Sequence, residues 1–234
     1  TYNDYSYPLL HKNVENHKKT VGIIGLGKMG GGIAYQLLDK GWNLFVYNRT
    51  PEKMADFVKN KANGFNSIKD LCSAMSKPRT ILLYLPEGDP VEEVIFSENG
   101  LINFLETGDI IIDGGNSNYI DSLRRFKLLE GKGIEFIDMG TSGGPTGARN
   151  GATVMVGGKP DVTRSVEYLF ESICETGGYT IFSNPGEGHF VKMVHNGIEY
   201  GMIESIAEGF ELINTYSPEI DLLEVAGNYS SGSI

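Results

Sequence analysis

From Thr20 to Tyr179 short apolar runs alternate with amphipathic stretches. The runs at Val21–Gly25, Leu44–Tyr47, Thr80–Leu85, Ile110–Asp113, Ile134–Asp138 and Thr153–Val156 have strand length and β-branched composition. Between them, Lys28–Lys40, Pro51–Lys61, Pro90–Glu98, Tyr119–Gly131 and Val162–Glu175 carry helical periodicity. Strands that are apolar throughout, rather than on alternate positions, belong to a sheet covered on both faces. The pattern therefore predicts an α/β fold, a doubly wound and mostly parallel sheet whose ligand crevice lies at the strand C-termini.

The pattern changes after Pro185-Gly186. Gly188 to Tyr216 lacks proline and predicts one long helix, in which Gly197, Gly201 and Gly209 lower the intrinsic propensity and mark close helix packing. Ser217-Pro218 then predicts a second helix, with Ser217 as cap and Pro218 at the first position. The chain divides into a polar leader (1–18), the doubly wound domain (19–186), and a long helix with the truncated start of an all-helical domain (187–234). A Ser/Gly-rich end, Gly227–Ile234, suggests that this helical domain is cut short.

Gly25-Leu26-Gly27-Lys28-Met29-Gly30 follows the first predicted strand and opens a helix, the context a dinucleotide fingerprint requires, so residues 19–186 read as a dinucleotide-binding domain of Rossmann type. Gly25 makes the tight turn, Gly27 lets backbone approach a pyrophosphate, and Gly30 packs helix on strand, with Met29 in the amide-bearing first turn. A glycine-rich turn of purely structural origin is the alternative. At the end of the second strand an NAD-selective site usually places an acid, but this chain reads Tyr47-Asn48-Arg49-Thr50. Asn48 removes a carboxylate that would repel a 2′-phosphate; Arg49 offers forked donors and Thr50 a hydroxyl. NADP is thus favoured over NAD, although a solvated Arg49 would leave NAD open.

On the long helix, Lys192, His195, Asn196 and Glu199 share a stripe about 100° wide. Phe190, Val191, Met193, Val194 and Ile198 surround it, which predicts a buried helix whose polar stripe faces a cavity. Burial and a neighbouring cation would lower the pKa of Lys192, suiting it to act as a base; burial would raise that of Glu199, suiting it to act as an acid. A structural Lys–Glu pair is the alternative. Two glycine-rich segments, Ile112–Asn118 and Met139–Gly151, follow strands where crevice loops belong.

Composition narrows the classes. The chain has 234 residues and a net charge of −10, which argues against a general electrostatic hold on nucleic acid or anionic membrane. Cys72 and Cys174 are isolated, with neither disulfide nor zinc spacing, so no metal is expected and the cytoplasm is the expected compartment. No apolar run is long enough to span a bilayer, and the first eighteen residues lack a secretory signal.

Together GLGKMG, NRTPEK, IIDGGNSNY, TSGGPTGARNGAT and KMVHNGIEYGMIE, spanning Thr20 to Phe210 in order, resemble the 6-phosphogluconate dehydrogenase family within the β-hydroxyacid dehydrogenases. The pairing of GGNS with HNGIEYG is the narrow part of that resemblance. It implies NADP-dependent oxidative decarboxylation of 6-phosphogluconate to ribulose 5-phosphate in the pentose phosphate pathway. By the same resemblance Lys192 is the base and Glu199 the acid. Asn116, Ser142, Gly143, Gly144, His195 and Asn196 position the carboxylate and hydroxyls, and Tyr200 reaches the phosphate. The family continues into a larger helical domain that forms a homodimer, so the present chain is expected to be weakly active. A 3-hydroxyisobutyrate-type dehydrogenase and a non-catalytic NADP-binding protein are the rival expectations.

Overall fold

The computed structural model describes residues 19–231. The polar leader predicted for residues 1–18 lies outside them. The strands are β1 (Thr20–Ile24), β2 (Asn43–Tyr47), β3 (Asn63–Phe65), β4 (Thr80–Leu83), β5 (Ile110–Asp113), β6 (Glu135–Ser142), β7 (Ala152–Gly157) and β8 (Cys174–Phe182). They form one sheet in the order β3-β2-β1-β4-β5-β6-β7-β8. Neighbours are parallel except at β6–β7, so the last two strands run against the other six. The helices are α1 (Lys28–Asp39), α2 (Ala55–Lys59), α3 (Ile68–Ala74), α4 (Asp89–Phe96), α5 (Tyr119–Glu130), α6 (Gly144–Asn150), α7 (Pro160–Ser165), α8 (Glu167–Ile173), α9 (Glu187–Tyr216) and α10 (Leu222–Tyr229).

Side-chain alternation along the strands sorts the core into two layers. Val21, Ile23, Leu82, Ile112 and Ile137 face one side, against Ile33 and Leu37 of α1, Ala148 of α6 and Phe170 of α8. Ile24, Ile81, Leu83, Ile111 and Phe136 face the other, against Leu71 of α3, Val91 and Ile95 of α4 and Leu129 of α5. Each of these buried Val, Leu, Ile and Phe side chains contributes about 1.5–3 kcal/mol of transfer free energy. At the end of the sheet remote from the crevice, the buried Asp109 carboxylate accepts from the Arg79 guanidinium at 2.7 Å and from the amides of Arg79 and Glu106. The doubly wound reading of the sequence is therefore correct, and so is the long helix beyond it.

Several elements depart from expectation. Asn63-Gly64-Phe65 has turn-like composition, yet it pairs with β2 as an edge strand. Gly144–Asn150, expected as part of a loop, is helix α6, because its Ala148 packs on Gly32 of α1, where an added Cβ would lie 3.0 Å away. The predicted helix Val162–Glu175 ends early: Cys174 and Glu175 belong to β8, paired to β7. The second helix after α9 starts at Leu222 with Asp221 as its cap, accepting from the Leu223 and Glu224 amides, and Ser217-Pro218 lies in the preceding turn. Gly197, Gly201 and Gly209 have no neighbour within 4 Å of an added Cβ, so close packing is not their role here. Nor is α9 buried along its length. Only Gly188, His189 and Lys192 are, while Met193, Val194, Ile198, Met202, Ile203 and Ile206 are exposed. No described helix is long and apolar enough to cross a membrane.

Candidate active site

Two cavities meet at the C-terminal edge of the sheet. The larger, about 440 Å³, is lined by Gly27–Gly30 after β1, Tyr84–Glu87 after β4, Gly114–Asn116 after β5, and Thr141 on β6. It sits where the sheet winds outward from β1 in one direction and from β4 in the other, the topological switch point of a doubly wound fold. The smaller, about 170 Å³, is lined by Glu87, Asn116, Ser117, Asn118, His189, Lys192, Met193 and Asn196. Glu87 and Asn116 belong to both walls.

The first cavity is built from backbone. Gly25 has φ +97° and hydrogen-bonds from its amide to Tyr47 O. At Gly30 an added Cβ would lie 2.0 Å from Gly25 O, so only glycine lets α1 begin so near the turn. At Gly27 the missing Cβ faces open space. The first-turn amides of Lys28, Met29 and Gly30 have no partner among the described residues, and that turn carries no acid. Free amides at a helix N-terminus beside an open approach are what a pyrophosphate requires, so the residues present fit a dinucleotide. Asn48 also has a structural task. Its Oδ1 accepts from Leu26 N at 2.9 Å and its Nδ2 donates to Thr50 O at 2.9 Å, bracing the turn. Arg49 and Thr50 are exposed beside it, and the Arg49 side chain makes no hydrogen bond or ion pair among the described residues.

The second cavity is built from side chains of distant segments. Lys192 is 5% exposed, and its Nζ donates to Asn196 Oδ1 at 2.6 Å and to Ser142 Oγ at 3.1 Å, with His195 Nδ1 at 3.3 Å. Its stem fits because Gly140 on β6 lacks a Cβ, which would stand 2.3 Å from that of Lys192. Burial lowers the Lys192 pKa from the ordinary lysine value, and Glu199 pulls the other way. The cation expected to assist that shift is thus replaced by an opposing acid. Glu199 is exposed and is linked to the cavity through His195, whose Nδ1 lies 3.7 Å from Glu199 Oε2. The burial expected of Glu199 is absent in this chain. Asn116, Lys192 and Asn196 therefore share one cavity, with His195 and Ser142 touching Lys192. Gly143 and Gly144 begin α6 nearby, and Tyr200 is 68% exposed; none of the three lines either cavity.

Sequence reasoning missed the supports. Asp138, fully buried on β6, accepts from Gly186 N at 2.6 Å and His189 N at 2.8 Å and so caps α9 across the fold. Burial pushes its carboxyl above the usual range, against the pull of His189 and those amides. Asp113 accepts from Gly115 N, Ser117 Oγ and Arg125, and Arg125 also donates to Glu92. Tyr84 O–H donates to Thr141 Oγ1, which donates to Gly114 O. An acid following an apolar run, as in Ile110–Asp113 and Phe136–Asp138, was the available signal. Among the described residues no group of three or more His, Cys, Asp or Glu is placed to hold a metal ion.

A glycine-turned α/β crevice leading to a buried lysine on a long helix defines a dinucleotide-binding protein of the β-hydroxyacid dehydrogenase type. Residues 20–183 match the NAD-binding domain of 6-phosphogluconate dehydrogenase, and residues 188–229 match that enzyme's C-terminal domain. The chain belongs to the 6-phosphogluconate dehydrogenase family. The decarboxylating 6-phosphogluconate dehydrogenase of Chlamydia pneumoniae is 43% identical over 205 residues, 84% of this chain and 42% of that enzyme. Bacillus subtilis YqeC, whose name places it in the same family, is 38% identical over 214 residues, 92% of this chain and 71% of that protein. A structure of Plasmodium falciparum 6-phosphogluconate dehydrogenase, described with its cofactor NADP+ and its substrate 6-phosphogluconate, superposes with a TM-score of 0.81. It is 35% identical, and the match covers 91% of this chain and 48% of that one. The chain thus spans less than half the length of most of these relatives.

Proposed function

We propose that this chain carries the cofactor crevice and catalytic helix of an NADP-dependent, decarboxylating 6-phosphogluconate dehydrogenase. The observation that carries the proposal is Lys192: buried, shifted toward the neutral amine, and set in a cavity that shares a wall with the dinucleotide crevice. On this reading residues 19–186 form the dinucleotide domain and residues 187 onward begin the helical one. Lys28–Gly30 hold the pyrophosphate, and Arg49 with Thr50 the 2′-phosphate. When bound, the nicotinamide supplies the acceptor for the substrate's hydride. Lys192 takes the proton of the hydroxyl being oxidised, its amine held by Ser142 and Asn196. The new carbonyl is the electron sink for loss of carbon dioxide, and Glu199, reached through His195, returns a proton to the enediol carbon. Asn116, Gly143, Gly144 and Tyr200 orient the sugar acid.

Parallel calorimetric titration with NADP and NAD, followed by assay on 6-phosphogluconate and 3-hydroxyisobutyrate, tests the proposal. NADP-selective binding with turnover of the sugar acid alone is expected. Turnover confined to 3-hydroxyisobutyrate would reassign the substrate. Cofactor binding without turnover of either would leave a nucleotide-binding protein.

A further inference from the structure

His189 is 2% exposed, lines the smaller cavity, and has no part in the chemistry above. Each of its three nitrogens is committed to a different element. Its amide donates to Asp138 on β6. Its Nε2 stands 3.1 Å from Gly115 O in the loop after β5, and its Nδ1 stands 2.7 Å from Ser122 Oγ on α5. A carbonyl only accepts, so Nε2 carries a hydrogen and donates to Gly115. The residue after Gly115 is Asn116, which with Glu87 lines both cavities. Three residues after His189, one helical turn on, is Lys192.

We propose that His189 is a positioning residue: its ring ties the Gly114–Asn118 loop to the helix that bears Lys192, and thereby sets Asn116 against both ligands at once. The opposite side of the loop is already fixed by Asp113, which accepts from Gly115 N and Ser117 Oγ. His189 supplies the only side-chain hydrogen bond from α9 to this loop among the described residues. Without it the loop keeps its β5 anchor and loses its registration to α9. The inference rests on the dehydrogenase reading for its kinetic consequence, but the structural tie does not.

Glutamine places an amide donor near the position of Nε2, whereas asparagine reaches only as far as Nδ1. Amide hydrogen exchange on the ligand-free full chain therefore reads the tie directly. Exchange at Gly115–Asn118 is expected to rise about tenfold or more in His189→Asn and to stay near wild type in His189→Gln, a difference of about 1.4 kcal/mol in local opening. Equal exchange in the two variants would overturn the inference, and the comparison holds even where His189→Ala does not fold. In titrations with 6-phosphogluconate, His189→Asn is expected to weaken binding about tenfold, and to have little further effect in an Asn116→Ala background. Additive losses would show that His189 does not act through Asn116. A wild-type chain that binds no 6-phosphogluconate would remove the proposed substrate while leaving the exchange result to decide the tie.

Discussion

The two cavities share a wall but are made of different material. The dinucleotide crevice is shaped by glycines and unpaired amides, and the positions that matter are those where a Cβ is absent. The Lys192 cavity is lined by side chains from α9 and the loops after β4 and β5, with Ser142 of β6 holding the Lys192 amine and buried acids holding the elements. A backbone site tolerates most side-chain changes and fails sterically. A side-chain site fails chemically, one functional group at a time, and it titrates.

That contrast can be broken in order of expected effect. Lys192→Met is expected to cut turnover roughly 10²–10⁴-fold, the usual worth of a general base, and to leave NADP affinity within twofold. Substantial residual oxidation would take Lys192 out of that role. Gly30→Ala is expected to act on the other cavity alone. Forcing a methyl against Gly25 O costs about 1–3 kcal/mol, seen as lost stability and weakened NADP binding. Unchanged affinity would show that the turn yields. Arg49→Ala should weaken NADP about tenfold and NAD hardly at all, measured by the paired titration; equal losses would remove the 2′-phosphate assignment.

Burial disfavours the Lys192 ammonium, so its pKa in the folded chain lies below the unfolded value of 10.5. Between those two values the unfolded chain binds more protons, and stability contributed by this group rises with pH across the window. Below the folded pKa the burial penalty is fully present, so Lys192→Met should stabilise the fold near neutral pH. Turnover should rise with pH to a midpoint below 10.5. Denaturant titrations from pH 7 to 10 on the two chains check the sign, and a pH-independent difference would contradict it.

The crevice was legible in the sequence for the same reason that it is robust: backbone conformations are written locally, as Gly25, Gly27 and Gly30 between a strand and a helix. Lys192 and Asn196 were legible because helical spacing places them on one stripe. What supports them was not. Asp138 caps a helix that begins 49 residues later, and Ser122 meets a histidine 67 residues away; no local pattern encodes either contact. The exposed flank of α9 was misread because periodicity reports which side chains are apolar and not what covers them. Edge strand β3 and helix α6 were missed where tertiary packing overrode composition.

Asn116 and Glu87 face both cavities. A wall held in common makes the two compartments thermodynamically conversant. Whatever one ligand does to that wall changes the free energy of admitting the other, and linkage requires the change to be equal in both directions. Measured alone, neither affinity is then a property of its own compartment. Each depends on the occupancy of the other, so the concentration of the second ligand becomes an experimental variable in its own right.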